Sequence, residues 1–124
     1  MRFIPTKIHG VLDYLSAALF IASPWLFDFA NGGAAQWVPV VVGVFLLLYS
    51  LGTDYELGLI KQLAMPTHLT LDWVVAGLFL AASPWLFGFA DEVYLPHLVF
   101  GMFSVVAGLC THKILYDARV HRQV

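Results

Sequence analysis

The chain has 124 residues, 60% of them hydrophobic and 11% charged, with a formal net charge of −2. Ordinary soluble domains carry roughly 25% charged residues, and a body this small needs polar side chains to cover its large relative surface, so a typical water-soluble domain is excluded. A weakly acidic balance excludes the basic face that a nucleic-acid partner requires, and the single cysteine, Cys110, excludes an intramolecular disulfide or a CxxC pair.

Length sets one domain, residues 1–124. Four apolar runs follow in order at about residues 8–30, 35–52, 69–90 and 94–115. Crossing a ~30 Å hydrocarbon core takes about 20 helical residues, so each run is long enough, the second only just. The first run lies behind Arg2 and Lys7, as a signal peptide would. Its recurrence inside the chain argues instead for a retained span.

That recurrence is detailed. His9, Asp13, Ala17 and Ala22-Ser23-Pro24-Trp25-Leu26-Phe27 return as His68, Asp72, Ala76 and Ala82-Ser83-Pro84-Trp85-Leu86-Phe87, and Phe29-Ala30 returns as Phe89-Ala90. The second copy carries one extra alanine before its Ser-Pro-Trp. Repeat one spans 8–60 and repeat two 67–117. Each repeat holds two spans, so both enter the membrane in the same direction. The expected fold is all-α: a four-transmembrane-helix bundle of two parallel tandem helical-hairpin repeats, unlike the inverted repeats of many transporters.

Cations orient the bundle. Arg2, Lys7, Lys61, Lys113, Arg119 and Arg122 all fall before span one, between spans two and three, or after span four. The other two connections carry Asp28, Asp91 and Glu92 and no cation. The positive-inside rule then puts both termini in the cytoplasm.

Ser23-Pro24-Trp25 and Ser83-Pro84-Trp85 read as a helix break, with Ser as N-cap and Pro opening a short new turn. Tryptophan would anchor each break at the outer interface. A kink baring carbonyls to a ligand or headgroup is the functional alternative. His9/Asp13 and His68/Asp72 stand at i, i+4 spacing, so each pair shares a helix face. The parallel repeat sets both pairs at one depth near the cytoplasmic ends. Each Asp can orient its own His or gain from a helix N-terminus. Converging on the axis, the four would suit a proton relay, an ion or a divalent metal such as zinc. A bis-histidine haem held by His9 and His68 is the least favoured version, since nothing in the sequence specifies a porphyrin slot.

His97 and His112 lie about 22 Å apart along the fourth span and cannot share a site. Each reads as an interfacial histidine, with His112 a candidate to join the inner cluster. Thr53-Asp54-Tyr55-Glu56 reads as a polar stop with an interfacial tyrosine, and Cys110 as a small packing residue. Ala18/Ala22, Gly77/Ala81 and Ser104/Gly108 are small-xxx-small pairs suited to close helix contact, within the chain or across a homodimer.

With two Ala-Ser-Pro-Trp-Leu-Phe elements, two His-x-x-x-Asp entrances and the Thr53-Asp54-Tyr55-Glu56 connection, the chain resembles the SPW-repeat membrane proteins of bacteria. The resemblance implies a bacterial cytoplasmic (inner) membrane location and no particular activity. The sequence offers no partnered serine nucleophile and no phosphate-binding glycine loop, so an enzyme is not expected. The leading expectation is an integral membrane protein of structural, accessory or sensing type. Second stands a small proton- or ion-handling protein using His9, Asp13, His68 and Asp72, and third a metal- or haem-binding one. The sequence specifies no cofactor and none is expected under the leading reading, and the expected partners are the lipid bilayer and, as a candidate, further copies of the chain.

Overall fold

The computed structural model describes residues 2–114. Arg119, Arg122 and the expected end of repeat two at residue 117 lie outside them. Four helices make up the described chain: α1 Thr6–Leu26, α2 Ala34–Leu51, α3 Met65–Leu86 and α4 Leu95–Cys110. α1 packs along α2 and α3 along α4, so each repeat is a helical hairpin. Among the described residues there is no β-strand, only isolated bridges pairing Ile4 with Thr111 and Thr53 with Leu63. The Ile4–Thr111 bridge joins the start of α1 to the end of α4, and a Thr6–Glu56 hydrogen bond brings the 52–64 connection to the same end, as parallel repeats require.

By length and composition α2 and α3 can cross a membrane, and α4 is apolar but shorter, at 16 residues. The surface supports the same environment. Leu15, Val41, Leu48, Leu78, Val99 and Val106 are exposed on all four helices, while His9, Asp13, Gln36, His68, Asp72 and His97 are buried. Polar groups inside and large aliphatic ones outside invert the usual distribution in water.

The expected helix break at Ser-Pro-Trp is absent. α1 runs through Pro24 and α3 through Pro84. A proline removes the N–H that would bond the carbonyl four residues back, which here belongs to Phe20 or Leu80. The Ser23 hydroxyl donates to Phe20 O at 2.8 Å and the Ser83 hydroxyl to Leu80 O at 2.7 Å. Serine therefore repairs the hydrogen bond that its neighbouring proline deletes, and is not an N-cap. One turn later the helices end through bonds from Phe29 N to Pro24 O and from Phe89 N to Pro84 O. The residues between, Asp28 and Gly88, take positive φ of 59° and 73°, the left-handed conformation common just past a helix C-terminus. Trp25 and Trp85 project outward, more than half exposed. Replacing Ser23 or Ser83 with Ala should cost about 1–3 kcal/mol, because a buried carbonyl loses its donor; thermal unfolding in detergent measures it.

His97 repeats this logic. Far from an exposed interfacial residue, it is fully buried, with its ring 5.0 Å from Phe29 and 4.9 Å from Phe89. Its Nε2–H donates to Ala35 O at 2.9 Å, the carbonyl left without a helical donor by Pro39.

The extra alanine of repeat two also has a physical fate. Fourteen residues separate His9 from Ser23 and fifteen separate His68 from Ser83. In α3 the stretch Asp72–Phe79 is π-helical. Wider i→i+5 turns absorb an inserted residue, so His68, Asp72 and Ser83 keep the same facing as their α1 counterparts.

Small residues fit the helices together. A Cβ on Gly101 of α4 would stand 2.5 Å from Ala81 N and Gly77 O of α3, and one on Gly108 3.0 Å from Leu69 O. Gly77 and Ala81 are thus used within the chain, at the α3–α4 contact. Ala18 is exposed, however, and Ala17 is the buried alanine of α1. Cys110 is half-buried, and its carbonyl holds the N-terminal segment through Phe3 N and Ile4 N.

Candidate functional site

The N-terminal halves of α1 and α3 bring His9, Asp13, His68 and Asp72 together at the end of the bundle closed by the 52–64 connection. All four are at most 5% exposed. One ligand atom from each lies within 4.8 Å of the others. His9 Nε2 stands 2.5 Å from Asp72 Oδ2 and 3.1 Å from Asp13 Oδ1. His68 Nε2 stands 2.9 Å from Asp13 Oδ2 and 3.3 Å from Asp72 Oδ2. Each aspartate therefore faces both histidines, its own and the other repeat's.

Around this core sits a shell that the sequence did not announce. The Thr111 hydroxyl donates to Ala107 O at 2.6 Å, one turn back along α4. The Thr53 hydroxyl donates to Tyr49 O at 2.6 Å in the same way. A hydroxyl has a single proton, so each threonine oxygen is left as an acceptor. His9 Nδ1 lies 2.6 Å from Thr111 Oγ1 and His68 Nδ1 2.7 Å from Thr53 Oγ1. Both Nδ1 atoms must then carry the proton and donate it. Each ring therefore turns Nε2 toward the carboxylates, with His9 Nε2 at hydrogen-bond distance from Asp72 Oδ2, so either a second ring proton or a cation lies between them. His68 Nε2 is buried and aligned with neither oxygen, so it has no hydrogen-bond partner.

The carboxylates are held from outside too. The Tyr49 hydroxyl donates to Asp72 Oδ1 at 2.5 Å and the Tyr55 hydroxyl to Asp13 Oδ2 at 2.8 Å. Tyr55 is not an interfacial residue, since it is completely buried. Burial, and next the adjacent Asp13 carboxylate, push its phenol far above the usual range and keep it a donor. The Thr53-Asp54-Tyr55-Glu56 stretch is thus part of the site rather than a simple stop. Glu56 also accepts a 2.7 Å bond from the Thr6 hydroxyl, fastening the connection to the start of α1. His112 stands outside the converging group, its backbone N–H bonded to Ile4 O.

Ser-Pro-Trp takes no part in this cluster: the residues Ser23, Pro24, Trp25, Ser83, Pro84 and Trp85 lie toward the opposite ends of α1 and α3. From His9 to Ser23 is about 21 Å of helix.

The family model for the SPW repeat domain matches residues 7–111, which include both motif copies and every side chain of the cluster except Thr6. The chain belongs to the SPW repeat family. No curated protein and no solved structure matches it significantly. Family membership together with the two long apolar helices makes this SPW repeat chain a membrane protein; the family carries no activity with it. What the SPW fold provides is a repeat-related pair of histidines and a pair of aspartates, buried, oriented by threonine and tyrosine, and sealed beneath the 52–64 connection.

Two carboxylates this close to two ring nitrogens require positive charge among them, either a proton on each Nε2 or one bound cation. Its donor set is N2O2, compact enough for one small cation. A tetrahedral ion with donors ~2.0 Å away has donor–donor edges of about 3.3 Å. The four N···O edges run from 2.5 to 3.3 Å. A porphyrin has no room here, because the cavity adjoining the cluster is only about 10 Å³.

Proposed function

We propose that this SPW repeat protein binds one divalent transition metal ion between its two repeats, as an accessory or sensing protein of the bacterial cytoplasmic membrane. In this reading all four helices cross the bilayer and both termini face the cytoplasm, so the site lies near the cytoplasmic ends of the spans. The observation that supports it is the convergence of two Nε2 atoms and two carboxylates within 4.8 Å, with both Nδ1 atoms committed to threonine.

Charge supports the same choice. Two carboxylates, two neutral imidazoles and one divalent ion sum to zero, the least costly state for a buried site. Imidazole nitrogen favours zinc, cobalt, nickel or copper over magnesium and calcium, which prefer oxygen. Histidine Nδ1–H bonded to a hydroxyl and carboxylate oxygen bonded to a phenol are the outer contacts that orient metal ligands.

The test is a Co2+ titration of the full chain in detergent. We expect one ion per chain and the intense visible bands of low-coordinate cobalt, displaced by Zn2+. Thr53→Val or Thr111→Val, which frees the histidine tautomer, should weaken binding about 10–100-fold. Full-length protein that takes up no stoichiometric metal would overturn the proposal, and four groups sharing protons alone would then describe the cluster.

A further inference from the structure

The repeats are not chemically equal around the site, and the difference opens one side of it. Tyr49 and Ala107 are counterparts, since each lies four residues before a site threonine and accepts its hydroxyl bond. On α2 the Tyr49 ring packs 4.9 Å from the His68 ring and its hydroxyl reaches Asp72. On α4 the same position carries only the Ala107 methyl. Leu46 of α2 has Ser104 as its counterpart on α4 by the same offset.

Where the second tyrosine would stand there is a cavity of about 10 Å³, with His9, Asp13, Ser16, Asp72 and Ser104 as its polar walls and Leu12, Leu46, Phe103 and Ala107 as its apolar ones. That is about the space one water requires, and a buried water needs two to four polar partners. Five of the nine lining residues offer them. His68 is not among them, so the cavity faces the cluster from the side away from that histidine.

We infer that the metal ion keeps a fifth coordination position there, filled by one exchangeable neutral ligand the size of water. This rests on the metal-binding reading above and adds to it a site that is open to chemistry rather than closed. Neutrality of the ligand follows from charge: the ion and two aspartates already balance, and an anion would leave a net charge buried in the bundle. Ser16 and Ser104 supply hydroxyls on the cavity wall to receive or orient the ligand's protons. The route outward runs along the seam of α1 and α4, where Ser16 and Phe103 also border an apolar groove lined by Leu15, Leu19, Val99 and Phe100. Its apolar walls favour small uncharged molecules over ions.

The experiment is EPR of the Co2+-loaded full chain in detergent, in ordinary water and in water enriched in oxygen-17. Line broadening in the enriched solvent, with one cobalt bound, is the expected result. Ala107→Val, a small addition to a space of about one water, should abolish the broadening while cobalt binding stays at one per chain. Ser104→Val replaces a wall hydroxyl with a larger apolar side chain and should reduce the broadening. One bound cobalt with no broadening in the wild type overturns the open position and leaves the metal site standing. No bound cobalt overturns both.

Discussion

Asp72→Asn should weaken divalent metal binding by at least about 100-fold, the largest loss expected from any conservative change in the chain. Asp72 is the point through which the cluster is connected. Its Oδ2 faces both histidines, and its Oδ1 is held by Tyr49. Asparagine keeps the size and the bond from Tyr49, so the helices have no reason to move. It removes one of the two negative charges, leaving a divalent ion with a surplus positive charge in a buried setting. Competition against a chelator of known affinity measures the loss, and an unchanged helical circular dichroism spectrum separates it from unfolding. Equal affinities for wild type and D72N would mean that the ion binds elsewhere.

The second large effect concerns packing. Gly101→Ala should destabilise the bundle by about 1–3 kcal/mol, the usual cost of forcing extra volume into a packed contact. The added carbon would stand 2.5 Å from the backbone nitrogen of Ala81 and the carbonyl of Gly77, and backbone atoms cannot turn aside. α3 and α4 would have to separate. Gly43, its counterpart in repeat one, is less confined: the nearest atom is the Ile21 side chain at 2.9 Å, with Ala17 O at 3.0 Å. Gly43→Ala should therefore cost less. Thermal unfolding of both variants in the same detergent gives the order, and a reversed order would contradict the close contact of α3 with α4.

Much of this was readable from residue order. Periodic recurrence of His-x-x-x-Asp and Ser-Pro-Trp fixed the two hairpins, and an even number of helices per repeat made them parallel, so the two pairs had to meet at one end. The shell was harder to see. Thr53 and Thr111 share their environment, yet the residues after them, Asp54-Tyr55 and His112-Lys113, differ, so no repeated motif flags them. Neither Tyr49 nor Tyr55 recurs as a tyrosine, since Ala107 and Lys113 stand at the matching positions of repeat two, and Tyr55 read as an interfacial residue. Tyr49 of repeat one serves the carboxylate of repeat two, Asp72, while Tyr55 folds back onto Asp13 of its own repeat, and neither contact is visible in residue order.

Ser-Pro-Trp was misread for a local reason. Serine before proline is a good helix start when no helix precedes it, but here a helix already exists, and the hydroxyl finds the carbonyl that proline leaves open. The sign was available in the chain, since in both copies the residues ahead are continuous helix formers with no turn residue. Likewise the extra alanine in repeat two marked a π-helical insertion, because only a wider turn preserves the facing of motifs on both sides of it.

X-ray absorption on the zinc-loaded full chain tests the metal site most directly. Two nitrogen and two oxygen donors at about 2.0–2.2 Å, with imidazole scattering from two rings and room for one further oxygen, is the shell these residues would build. A six-oxygen shell without imidazole, or zinc lost on passage through a desalting column, would contradict it.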